Sequence, residues 1–184
     1  VKVVLVNPKD RVQWVNAYTI DPRRYAEAAK GAPAVRSALD AIAQGDLAGA
    51  RRELNAEKAR GTRTPAVYGL LADMDLVAGE TARALATLGE GLAANPRDPE
   101  LLGQLATTQL VADKADEARK TVAQPRSAET AGILVAEGEV ARRDGDIPKT
   151  FTAFTRATTA APADDRGWFA LGRAQNERED TTPA

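Results

Sequence analysis

A small or turn-forming residue returns at a near-constant interval along this chain: Gly45, Gly79, Asp113 and Gly145 stand 34, 34 and 32 positions apart. Each lies between two stretches of helical periodicity. Five positions beyond each comes another small residue, in Ala50, Ala84, Ala118 and Thr150. Four further on comes a large apolar one, in Leu54, Leu88, Val122 and Phe154. Self-similarity of this kind restricts a chain to a stack of like units, none of which can bury its apolar face alone. The roles within a unit are physically coherent. The second small residue lets paired helices approach, the large one fills the gap to the next unit, and Pro96 and Pro162 stop the second helices.

The pattern predicts helix pairs at 33–44 with 46–59, 65–78 with 80–94, 99–112 with 114–123, and 128–144 with 146–160. A further single helix is expected over 165–177. The stretch from Pro65 to Pro96 shows the pattern best. The third pair is shortened at Gln124-Pro125, which predicts a kink or a changed twist there. Composition agrees with helices packed through small side chains. Ala is abundant, and aromatics amount to three Phe, three Tyr and two Trp, which suits neither a sandwich nor a barrel.

The first thirty residues read differently. Val1 to Val6 is β-branched, Asn7-Pro8-Lys9-Asp10 is turn chemistry, and Arg11 to Asn16 alternates polar and apolar, so a short β-hairpin is expected. Trp14 would pack between that hairpin and the first helix. Asp21-Pro22 followed by Arg23 to Lys30 reads as an N-cap, a proline at the first helical position and a short helix. The expected organisation is a β segment and linker helix at 1–30, a repeat domain at 31–178 and a frayed tail at 179–184. A start on Val-Lys-Val-Val without Met points to a segment excised from a longer protein.

The second unit carries Tyr68, Leu71, Ala72, Gly79, Glu80, Ala84, Leu88, Gly91 and Pro96 in sequence order. The fourth carries Leu134, Gly138, Gly145, Asp146, Phe154, Ala157 and Pro162, and the last helix opens with Trp168, Leu171 and Gly172. In this the chain resembles the tetratricopeptide repeat. The resemblance implies an all-α fold, a right-handed α-solenoid of helix hairpins, here behind the short N-terminal β-hairpin. The family's usual mid-helix Tyr is replaced by Ala41, Asp75, Gln109 and Ala141, and the first unit opens on Ala34 instead of an aromatic. The repeat opening at Trp168 implies further repeats in the parent protein. Residues Asp10 to Pro22 resemble the junction in bacterial proteins where a FecR-like β domain precedes such repeats, which implies a periplasmic or secreted bacterial protein.

Composition narrows function. The chain has no Cys and no His, so thiol nucleophiles, Ser-His-Asp triads, imidazole bases and the usual zinc sites are excluded. With 25 basic against 26 acidic residues, no net charge draws the chain to nucleic acid or an anionic membrane surface. The longest apolar runs are far too short to span a bilayer. Asp144-Gly145-Asp146 lacks the other ligands of a calcium loop and reads as a turn with Asp146 as N-cap. Asp113, Asp116 and Glu117 read as acidic residues capping a helix start, and Arg51-Arg52 as a solvated helix face. No metal, no cofactor and no catalysis are expected.

In the family that the chain resembles, the first helix of each unit lines a groove. The matching positions are Asp73, Leu76 and Val77, then Thr107, Leu110 and Val111, then Glu139, Arg142 and Arg143, with Arg173 and Asn176 in the last helix. The groove would be apolar in its middle and charged toward its C-terminal end, a seat for a peptide or partner helix. Leu76 and Leu110 fit helix-packing core equally well, and Arg142-Arg143 fit a helix end complementing its dipole. The positions of a carboxylate clamp hold Val35, Leu39, Gly69 and Asp73, so that mode is not expected. The function that follows is a non-catalytic scaffold for a protein or peptide partner. The alternative is a spacer or self-associating module whose groove is filled by an adjacent domain or another copy.

Overall fold

The computed structural model describes residues 20–124 and 126–180. The expected hairpin, Trp14 and most of the FecR-like stretch lie outside the described residues. Within them the chain is entirely helical. A 3-10 turn at Pro22–Tyr25 leads into α1 (Ala26–Gly31), and four helix pairs follow. These are α2 (Pro33–Ala43) with α3 (Leu47–Ala59), α4 (Pro65–Val77) with α5 (Thr81–Ala94), α6 (Pro99–Val111) with α7 (Ala115–Val122), and α8 (Ala131–Arg143) with α9 (Ile147–Ala160). The chain closes on α10 (Asp165–Asp180). The shortened third pair is real: α7 has 8 residues where α5 and α9 each have 14.

Local chemistry sets the boundaries. Pro33, Pro65 and Pro99 open α2, α4 and α6, where a missing N–H costs nothing. Asp46, Asp98 and Asp146 cap their helices, accepting from the backbone N–H of Gly49, Leu101 and Lys149. The four repeat turns share one backbone solution. The residue after each turn position donates back to a carbonyl five places earlier, as in Glu80 to Asp75 at 2.8 Å and Lys114 to Gln109 at 2.8 Å. That closure needs a left-handed residue, with φ of 81° at Gly45, 76° at Gly79 and 77° at Gly145. Asp113 fills the same role at φ 59°. It is therefore the turn residue itself, and not the cap of α7 that its acidity suggested; Lys114 holds the cap position.

Stacking follows the repeat register. Ala50, Ala84, Ala118 and Thr150 are buried, as are Leu54, Leu88 and Phe154, while Val122 is half-buried. Phe154 lies against Gly138, and Gly91 against Tyr68, so each large side chain seats where its neighbour has none. Buried apolar residues form separate clusters, one spanning α2 to α6 and others within α6 to α10, as stacking of units requires. Successive first helices touch one another (α2 to α4, α4 to α6, α6 to α8, α8 to α10), whereas successive second helices scarcely do. The solenoid therefore curves with its first helices on the inside.

Candidate functional site

The inner face is built from α4, α6, α8 and α10, and the groove positions sort by what their side chains touch. Val77 and Val111 hold equivalent places one unit apart and are 44% and 39% exposed. Leu76 and Leu110 beside them are half-buried. Leu76 packs on the large cluster that includes Leu70 and Leu101, and Leu110 on Ala106, Ala136 and Val140. Thr107 is half-buried, and its hydroxyl donates to the Gly103 carbonyl one turn back at 2.9 Å.

The charged end forms a network of its own. Arg142 donates to Glu139 at 3.1 Å and reaches Glu177 at 3.4 Å. Arg173 also pairs with Glu139, so α8 and α10 are tied through one carboxylate. Arg143 pairs with Asp113, linking the end of α8 to the turn after α6. These pairs link α8 to α10 and to the turn after α6 at the rim.

Asp73 is committed elsewhere. It is buried, and three donors converge on its carboxylate: the Tyr25 hydroxyl at 2.6 Å, Arg24 at 2.9 Å and Gln104 at 3.1 Å. Gln104 also donates to the Tyr25 hydroxyl at 3.0 Å. Residues 21–25 thus form a strap that crosses the inner face from α4 over α6 to the start of α10, where Arg23 pairs with Asp165. Beneath it Arg166 of α10 donates to Glu100 of α6 at 2.9 Å. Burial, with the Asp73 carboxylate alongside, pushes the Tyr25 phenol well above its ordinary value. Burial also opposes ionisation of Glu100, yet the Arg166 guanidinium outweighs it and holds that carboxyl below the usual range. The strap residues fall outside the repeat period, so periodicity could not find them. The only signal was Arg-Arg-Tyr directly after an Asp-Pro cap, in a segment too short to fold alone.

Asp75, two residues from Asp73, points the other way. It is buried between helices and accepts from Arg51 of α3 at 2.5 Å, Arg83 of α5 at 2.7 Å and Thr87 at 3.3 Å. Arg51 is therefore an inter-unit tie and not the solvated residue expected. Gln109, at the equivalent place in the next unit, accepts from Thr121 at 2.8 Å.

Among the described residues no group of metal-ligating side chains occurs, and no helix is long and apolar enough to cross a membrane. Two shallow depressions lie away from the groove positions. One is flanked by Arg63, Asn95, Arg97 and Ser127, the other by Ser37, Glu53, Glu57 and Arg60.

Comparison with known proteins agrees with this architecture. Residues 76–133 match the tetratricopeptide repeat family model. The fold is similar to that of a thermophilic TPR protein from Thermus thermophilus, at TM-score 0.61 and 20% identity over 84% of this chain and 89% of that one. It is similar also to the MamA protein, at TM-score 0.53 and 17% identity over 79% and 81% of the two chains. No curated protein matches the chain in sequence. The fold is a right-handed α-solenoid of the tetratricopeptide type.

Proposed function

We propose that this chain is a non-catalytic protein-interaction scaffold that seats a peptide segment of a partner on its inner face, with apolar anchors on Val77 and Val111. The observation that carries the reading is this pair. Large side chains left in water at repeating positions on an inner face are what a partner's own apolar groups would cover. Leu76 and Leu110 form the half-buried floor, Thr107 offers a hydroxyl, and the Glu139, Arg142, Arg143 and Arg173 network is a polar rim that orients the incoming segment. Asp73 drops out of this seat because the strap already engages it. The chemistry of the face suits binding and supplies no reacting group.

A displayed random-peptide library selected on the intact chain tests this. Peptides that enrich should lose binding to the Val77→Glu/Val111→Glu variant, because two anchors would meet buried charge. Both sites are exposed, so helicity by circular dichroism should persist. Enriched peptides that bind the double variant equally well would overturn the assignment.

One observation favours a second reading, in which the inner face is filled from within. The strap already occupies the Asp73 side of the face. If that occupancy extends across the whole groove, the module is a spacer or self-associating unit. Substitution at Val77 and Val111 would then alter the mass seen by light scattering and leave no peptide selection to disrupt.

A further inference from the structure

The strap carries a recognition chemistry of its own. The strap is held on the inner face by polar groups as well as by packing, for Tyr25 is buried in the large apolar cluster and Ile20, Ala29 and Ala32 rest against it. Arg24 and Tyr25 present a cation and a phenol to Asp73, and Gln104 bridges the phenol to the carboxylate. Arg24 also lies over the Tyr25 ring at 5.5 Å, which fixes the two side chains as one unit. Glu100 adds negative potential near the Arg24 site, while Arg166 limits it. Asp21 shapes the turn by accepting from the backbone N–H of Arg23 at 3.0 Å.

The fit is incomplete. The Nε of Arg24 is buried and has no hydrogen-bond partner among the described residues. Helix α1 beyond the turn buries none of its residues fully, and Ala32 joins it to α2 in extended backbone. Apart from Tyr25, which is buried in the large apolar cluster, the segment contributes only the partly buried Ile20, Ala29 and Ala32, so it should open at lower free energy than the solenoid beneath it.

We propose that the inner face contains a subsite for an arginine–tyrosine pair held in a tight turn, that Arg24 and Tyr25 fill it in cis, and that a partner peptide presenting the same pair displaces the strap. This subsite is distinct from the Val77 and Val111 seat and goes beyond it. The two can succeed or fail separately.

The test uses the full chain and a labelled synthetic peptide of residues 20–31, followed by fluorescence anisotropy. The peptide should bind the Arg24→Ala/Tyr25→Ala chain, whose subsite is vacated, roughly thirtyfold or more tighter than the wild-type chain, whose strap competes. A peptide with Ala in both places should not bind, and adding Asp73→Ala to the chain should abolish binding. Adding Val77→Glu and Val111→Glu should leave it unchanged, which separates this result from the fate of the other seat. No binding to the vacated chain, or equal binding by the Ala peptide, overturns the proposal. Should the double variant lose helicity, hydrogen exchange on the wild-type chain decides. Amides of residues 22–31 should exchange well before those of α4 and α6; exchange only with global unfolding overturns displacement.

Discussion

The backbones of two neighbouring units come close at Gly103 on α6, and replacing it by Ala tests the stacking directly. A methyl group there would sit 2.6 Å from the Gly132 carbonyl carbon and 2.7 Å from both its oxygen and the Ile133 nitrogen. These are backbone atoms of α8 and cannot rotate aside. Comfortable contact needs about 3.5 Å, so the two helices must part locally by just under ~1 Å. Separation on that scale forfeits a quarter to a half of each dispersion contact across the seam, where Leu102, Ile133 and Leu134 meet. Overpacking of this kind costs about 1–3 kcal/mol. Against it stands the helix propensity gained on replacing Gly by Ala, about 1 kcal/mol. The expected net is a loss of up to about 2 kcal/mol in urea unfolding followed by circular dichroism. Gly89→Ala is the control, since a methyl there meets nothing within 4 Å. It should gain up to about 1 kcal/mol. Because coupling in a solenoid passes between neighbours, Gly103→Ala should also broaden the transition as the two ends begin to unfold separately. A Gly103→Ala chain as stable as the Gly89→Ala control, with an unbroadened transition, would refute the close packing of α6 on α8.

Other outcomes follow from the same structure. Ala84→Glu should cost roughly 4 kcal/mol or more and abolish cooperative unfolding, because Ala84 is 0% exposed in the seam of α4 and α5; tolerance would mean the register is wrong. At the left-handed turn, Asp113→Val should lose about 1–2 kcal/mol by chemical denaturation while Asp113→Gly loses nothing, the Arg143 pair being exposed and weak. Tyr25 ionises in the folded chain above its unfolded value near 10, so its contribution to strap closure is fully present below about pH 10 and is lost as pH rises through the folded value. Phenolate absorbance together with proteolysis at Arg23 and Arg24 should show the strap released in that alkaline window, and Tyr25→Phe should remove the pH dependence.

The solenoid was legible because its backbone makes demands that only a few residue types meet. A left-handed turn wants Gly, a helix start wants Asp and Pro, and a tight seam wants Ala, so chemistry recurred at Gly45, Gly79 and Gly145 with the spacing of the structure. Asp113 was placed correctly by spacing, and its side chain misled because acidity also suits a cap. The resemblance to the repeat family pointed to Val77 and Val111 as groove positions, and both are exposed. It could say nothing of pairing between units. Whether Arg143 is free or tied to Asp113, or Arg51 solvated or clasped by Asp75, depends on which rotamers meet across a seam. The strap was beyond reach for a further reason: Tyr25 and Asp73 are separated by 48 positions, and no period connects them.

The geometry of α4 explains how the strap could leave without undoing the solenoid. Asp73 and Asp75 are its two buried carboxylates. Residues two apart on a helix differ by about 200° in direction, so they cannot share partners. Asp73 accordingly faces the inner surface and takes the strap together with Gln104 of α6, while Asp75 faces the seam and takes Arg51, Arg83 and Thr87. Each carboxylate is satisfied by its own donors. Withdrawal of Arg24 and Tyr25 exposes Asp73 to water, where a lone carboxylate is well solvated, and leaves the Asp75 clasp between units intact. When the strap leaves, Gln104 of α6 still donates to Asp73 at 3.1 Å. Under the proposed displacement, the inner face would change occupants while the Asp75 clasp keeps the units in register.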